Sequence, residues 1–148
     1  RNVDLKNSEE MQFIAAIDMT IPALFDSKFE VNEKTISERL VQLMKCKPDD
    51  FFEVALSGEN KIVGFHFVDK FKTPHGVMAA DINTLWVDPE FRKQGIARTL
   101  KLRSEAWARQ ENLDHISTFV HAKNLNMQGL NQSLEYELVG YKLRKNLK

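Results

Sequence analysis

The 148-residue chain carries 21 Lys and Arg against 21 Asp and Glu, 43% apolar residues, six glycines and one cysteine. At ~100–200 residues per domain that length predicts a single domain, residues 1–148, and zero net charge excludes a general nucleic-acid or anionic-membrane surface, which summed positive charge would hold. Cys46 alone excludes an intramolecular disulfide framework and any multi-cysteine zinc or iron–sulfur site, and it fits a reduced, cytoplasmic setting.

In chain order, Asn7-Ser8-Glu9-Glu10 offers an N-cap with an acidic first turn, followed by Met11, Ile14, Ala15 and Ile17 at helical spacing. No apolar run precedes it, so nothing there reads as a secretory signal, and the longest apolar stretch, Phe13 to Phe25, is broken by Asp18 and Pro22. Thr35-Ile36-Ser37-Glu38 has capping-box spacing. Ile36, Leu40, Leu43 and Met44 then predict a second helix, stopped by Lys47-Pro48. From Phe51 the period becomes two, and turns at Ser57–Asn60 and Lys72–Gly76 divide three strands, Phe51–Leu56, Ile62–Phe71 and Val77–Val87, expected as an antiparallel meander. A helix from about Gly95 to Glu111, a strand His115–Val120, a helix Asn124–Glu135 and a last strand Tyr136–Leu147 follow. A strand that leaves a meander through a helix and returns implies a right-handed parallel crossover, hence a mixed α/β sheet flanked by about four helices.

The stretch Leu85 to Leu100 carries the chemistry. A strand enters a tight turn, and a helix begins where Gly95 and Ala97 leave the first-turn N–H groups uncovered, which with the helix dipole makes an anion site. Five basic residues, Arg92, Lys93, Arg98, Lys101 and Arg103, fall between Arg92 and Arg103 with no acidic one, an excess suited to a multiply phosphorylated ligand. The glycines, at 58, 64, 76, 95, 129 and 140, are too far apart for a dinucleotide Gly-x-Gly-x-x-Gly or a Walker A loop, so P-loop nucleotide hydrolysis is excluded.

Val87, Pro89, Arg92, Gly95 and Ala97 together resemble the Val-x-Pro-x-x-Arg-x-x-Gly-x-Gly/Ala motif of the GNAT superfamily of acyl-CoA-dependent N-acyltransferases. Asn124 to Tyr136 is similar to that family's Asn-x-x-Ala/Met helix ending in Leu-Gly-Phe, with Glu135 for glycine and Tyr136 for phenylalanine, and Asn124 and Asn131 share a helix face. The likeness covers about residues 50–147; the two N-terminal helices match only in position and length. It implies a GNAT-like fold with a splayed strand pair holding acetyl-CoA. Backbone groups of Leu85, Trp86 and Val87 would pair with pantetheine, and the N–H groups of Lys93, Gln94, Gly95, Ile96 and Ala97 would take the pyrophosphate. Arg92, Lys93 and Arg98 would reach phosphate oxygens, Thr99 would belong to the same cofactor-binding run, and Asn124, with Asn131 on its face, would meet pantetheine.

The implied reaction is transfer of acetyl from acetyl-CoA to a primary amine of a small molecule or peptide by direct attack. An amine of pKa near 10.4 is mostly ammonium at pH 7, so its neutral form costs on the order of 4–5 kcal/mol, which a base or a desolvating site must supply. Asp81, six residues before Val87, and Glu53 on the neighbouring strand are the candidates. Asn131 stands where many members have a tyrosine that protonates the departing thiolate, which keeps a second reading open: a CoA-binding sensor or interaction module with little turnover. A third is an unrelated mixed-sheet protein binding another phosphorylated ligand. His66, alternating with Ile62, Gly64 and Val68, reads as a packing residue. Cys46 reads as inert, and His115 and His121 lack companions at metal-ligand spacing. The acceptor would be set by the first helices and by loops 23–33 and 72–76, and a homodimer is left open.

Overall fold

A computed structural model describes residues 1–148. The helices are α1 (Ser8–Asp18), the four-residue α2 (Thr20–Ala23), α3 (Glu33–Leu43), α4 (Ile96–Gln110) and α5 (Leu125–Ser133). The strands are β1 (Phe51–Leu56), β2 (Ile62–Lys72), β3 (Met78–Val87) and β4 (Ile116–Thr118), and they form one sheet in the order β1-β2-β3-β4. The first two pairings are antiparallel and β3 with β4 is parallel, the meander and crossover that the sequence predicts. No helix is long and apolar enough to cross a membrane.

Period-two alternation sorts the strand residues onto two faces. On one face Phe52, Val54, Phe65 and Phe67 pack with Met11, Ile14 and Ala15 of α1 and Leu43 of α3. On the other, Phe51, Val68 and Ala80 meet Trp107 of α4, with Leu113 and Ile116 beside them. Asn7 caps α1 by accepting from the Glu10 N–H at 3.1 Å. The capping box of α3 starts earlier than expected. Asn32 Oδ1 accepts from the Thr35 N–H at 3.0 Å, and Thr35 Oγ1 accepts from the Asn32 N–H at 3.0 Å, so Thr35 is the third helical residue rather than the cap.

The outer edge of β1 is covered by the first residues, with the Val3 N–H donating to Phe52 O and the Val54 N–H to Arg1 O. The far edge of β4 has no strand beside it. The strand expected over Tyr136–Leu147 does not form: residues 135–148 carry no helix or strand, and no backbone hydrogen bond involves residues 137–148. The alternation Tyr141, Leu143, Leu147 against Lys142, Arg144, Lys148 suits a strand, but a strand needs a partner and none lies alongside.

Candidate acetyl-donor cleft

β3 pairs with β4 only over Ala80–Ile82 against Ile116–Thr118, yet β3 runs on to Val87. From Asn83 to Val87 its side away from β2 therefore faces an opening in the sheet. A register shift between Phe67 and Val68 leaves Asn83 without an opposite residue on β2, a bulge that bends β3 where the parallel pairing ends. The opening leads to a tight turn, Pro89–Phe91, in which Asp88 Oδ1 accepts from the Glu90 N–H at 3.0 Å.

Two residues with positive φ, Lys93 at 62° and Gly95 at 82°, then bring the chain into α4. Left-handed residues alternating with a residue of negative φ, as Lys93 and Gly95 do around Gln94, turn neighbouring N–H groups to one side, the geometry of an anion-binding nest. Gly95 caps α4 with no side chain, and the N–H groups of residues 93–98 find no acceptor within the chain. The turn thus offers six donors at the positive end of a fifteen-residue helix.

Of the five basic residues expected at this turn, three are near it. Arg92 Nε donates to Val87 O at 3.1 Å, which fixes the end of β3, and Lys93 is exposed. Arg98 Nη1 donates to Ser133 Oγ at 2.9 Å, tying α4 to α5 across the cleft. The other two are turned away by helical phase. Lys101 belongs to the buried face with Leu100, Ser104 and Ala108, its ammonium 4.2 Å from the centre of the Tyr136 ring. Burial without a hydrogen-bond partner pushes it down to about 8. Arg103 points at β1, where its Nε and Nη2 grip Glu53 at 2.6 and 2.7 Å.

That grip changes the reading of Glu53. The Arg103 guanidinium holds its carboxyl below the usual range despite burial, so it is a sheet-to-helix ion pair and a poor proton acceptor. Asp81 is exposed beside the cleft and accepts from Ser117 Oγ of β4 at 3.1 Å. Opposite it in register lies Asp69 of β2, whose carboxyl is raised by burial first and then by the charges of Asp81 and Asp50. The sequence reading missed Asp69; the signal was its place on β2 directly across from Asp81. His66 is fully buried, with Nδ1 2.9 Å from Thr84 O and Nε2 3.0 Å from Ser104 Oγ, and desolvation takes it down to about 4, a packing role as expected.

Near the bulge, Thr84 Oγ1 donates to buried Asp18 of α1, Asp18 accepts from Arg39 Nε of α3, and Arg39 also donates to Asn83. Both helices are thereby anchored to the strand that lines the cleft. Asn124 caps α5 through Oδ1, accepting from the Met127 N–H at 3.2 Å, which leaves its amide nitrogen free. Asn131 is buried with its Oδ1 unpartnered, as are Glu105 Oε1 and the Tyr136 hydroxyl nearby on the α4–α5 side. Thr99 closes the first turn, its N–H donating to Gly95 O at 2.9 Å.

The family described as "Acetyltransferase (GNAT) family" matches residues 19–136, and the chain belongs to it. A mycothiol acetyltransferase of Thermobifida fusca (strain YX) is 28% identical over 95 residues, 62% of this chain but 29% of that protein, so the chain spans under a third of that relative's length. In structure, a putative acetyl transferase from Pyrococcus furiosus is similar over 95% of this chain and 95% of its own, with a TM-score of 0.77 at 22% identity. An aminoglycoside acetyltransferase, meta-AAC0020, from an uncultured soil metagenomic sample is similar over 100% of this chain and 95% of its own, with a TM-score of 0.73 at 20% identity. These structural likenesses carry the fold alone.

Proposed function

We propose that this chain is an N-acetyltransferase that moves an acetyl group from acetyl-CoA to a primary amine. The observation that carries the proposal is the run of free N–H groups from Lys93 to Arg98 beside an unpaired stretch of β3, because donors of two different geometries lie end to end. A pyrophosphate suits the turn, and a chain of amides suits the strand edge. Acetyl-CoA, when bound, supplies an activated thioester.

The chain's own residues do the rest. The turn and the exposed Lys93, with the free guanidinium nitrogens of Arg92 and Arg98, hold phosphate oxygens. The free edge of Leu85, Trp86 and Val87 and the Asn124 amide nitrogen orient pantetheine. Asp81 takes the proton from the incoming ammonium, with Asp69 opposite as the neighbouring carboxylate that keeps an ammonium attractive there. Asn131 has no ionisable proton to give a leaving thiolate. A thiol near pKa 8.5 needs that help less than the amine needs a base, so turnover survives its presence.

Thiol release from acetyl-CoA against a panel of polyamines, aminoglycosides, amino acids and lysine peptides tests the proposal. Release with at least one amine supports it. Acetyl-CoA binding with no release from any amine would favour the sensor reading, for which the buried, unpartnered Asn131 is the specific observation.

A further inference from the structure

We infer that the acceptor of this chain is an amine that also carries a carboxylate, the two groups joined by a short carbon chain and held in a cavity between the sheet and the end of α3. The inference rests on the acetyl-transfer reading above and names the substrate of that site. The cavity, of about 320 Å³, is at the small end of the ~300–1,000 Å³ range of ligand pockets. It lies on the sheet face that carries α1 and α3. Asp69, Asn83 and Phe67 line it from the strands, and Gln42, Lys45 and Lys47 from α3 and the turn after it.

Ion pairing decides which charges there are free. Arg39 is engaged by Asp18 and Asn83, and Lys70 by Asp49 and Glu111. Asp50 accepts from the Lys47 N–H at 2.8 Å and from the Lys70 N–H at 3.0 Å, which ties the turn to β2. Left over are one carboxylate on the sheet, Asp69, and two ammonium groups on the turn, Lys45 and Lys47, none of them in a salt bridge. Asp69 faces Asp81 across the β2–β3 pair, and like charges directly opposite destabilise a sheet unless a cation lies between them. Burial and the charges of Asp81 and Asp50 hold the Asp69 carboxyl above its ordinary range, a strain that a cation at that point relieves. A substrate ammonium fills that place and stands beside Asp81, the proposed base. Asp69 and Asp81 alone would admit any amine. Lys45 and Lys47 repel a second ammonium and attract a carboxylate, which selects against polyamines and aminoglycosides. Because the carboxylate and the lysines come from different elements, the two charges of the ligand are separated by a carbon chain, to which Phe67 offers an apolar wall.

Heteronuclear NMR titration with three five-carbon probes, 5-aminopentanoate, 1,5-diaminopentane and glutarate, tests this. Saturable shifts at the N–H signals of Lys47, Asp69 and Asn83 are expected with 5-aminopentanoate, at a dissociation constant at least tenfold below those of the other two. A Lys45→Glu, Lys47→Glu variant reverses the charge of exposed side chains that make no ion pair, so it folds, and its preference should move to the diamine. Equal or tighter binding of the diamine by the wild type, no binding of 5-aminopentanoate, or a preference unchanged in the variant would overturn the inference. Thiol release from acetyl-CoA with the same probes separates it from the reading on which it rests. Binding of 5-aminopentanoate without release would contradict acetyl transfer while supporting the cavity's ligand class. Faster release with the diamine than with 5-aminopentanoate would contradict the inference and leave acetyl transfer standing.

Discussion

In the proposed function, Gly95 is the residue on which donor binding turns. Its φ of 82° lies where an L side chain is strained by roughly 1–2 kcal/mol, and a β-branched side chain fares worst. Space is not the obstacle, because an added Cβ would meet nothing within 4 Å. Gly95→Val therefore acts by refolding the turn, while Gly95→Asn, which tolerates this region, preserves it. The expected pattern is loss of acetyl-CoA affinity in the first and near-normal affinity in the second.

Asp81→Asn should lower kcat/KM for the amine by about 10²–10⁴ with the KM for acetyl-CoA unchanged. An equal loss in Glu53→Gln would contradict the assignment, since Glu53 is spent on Arg103. Lys101 was legible as a charge but not as a buried one. Composition marks lysine as solvated, and only the phase of α4 shows it between Leu100 and Ser104. With its ammonium taken down to about 8 by burial, the folded state resists protonation that the unfolded chain accepts below 10.5. The penalty is full below pH 8 and gone above 10.5. Lys101→Met should then stabilise by about 1–4 kcal/mol at pH 7 and by little at pH 10.5, as read by urea unfolding.

At the scale of elements, the β2–β3–α4 layer is held by His66, and its pH dependence follows from burial. His66 is lowered from 6.5 to about 4, so between those values the unfolded chain binds a proton that the folded chain refuses. Stability contributed by neutral His66 is present above pH 6.5 and lost as pH falls toward 4, by about 3 kcal/mol in all. Comparing wild type with His66→Gln between pH 6.5 and 5 isolates this slope, which the variant should lack.

Gly64 performs a different task on β2. A Cβ there would lie 3.1 Å from Trp86 O and 3.3 Å from Ile96 Cγ2, so bulk at 64 pushes the first residue of α4 off the sheet. Gly64→Val should weaken acetyl-CoA binding although residue 64 touches no donor group.

The elements with their own local signals, the capped α1, the meander and α4, were readable because periodicity and turn residues are encoded within each segment. Segment 136–147 carried the same alternation and formed no strand. Whether alternation becomes a strand is decided by a neighbouring edge, which a linear pattern does not contain. The extent of β4, three residues against the six expected, is set in the same way by where β3 diverges.

For the whole molecule, 21 basic and 21 acidic residues sum to zero, and the fold distributes them into pairs and one unbalanced turn. Arg103 is consumed by Glu53, Arg39 by Asp18 and Lys70 by Asp49 and Glu111, while Lys101 is buried. What remains at the cleft is a smaller cationic group than the sequence implied, three residues rather than five, so in the proposed function the backbone carries more of the anion binding. The strand, turn and helix start around Gly95, on which the proposed donor site rests, were legible because glycine spacing and helix start are local. The ion-paired fate of Glu53 and the Asp69–Asp81 pairing were not, because both depend on which strands and helices become neighbours.

Calorimetric titration of acetyl-CoA, with ATP and NAD at the same concentrations as controls, into the wild-type chain and the Gly95→Val variant tests the central claim most directly. Saturable binding of acetyl-CoA alone by the wild type, lost in the variant, is the predicted result. Absence of acetyl-CoA binding by the wild type, or undiminished affinity in Gly95→Val, would contradict it.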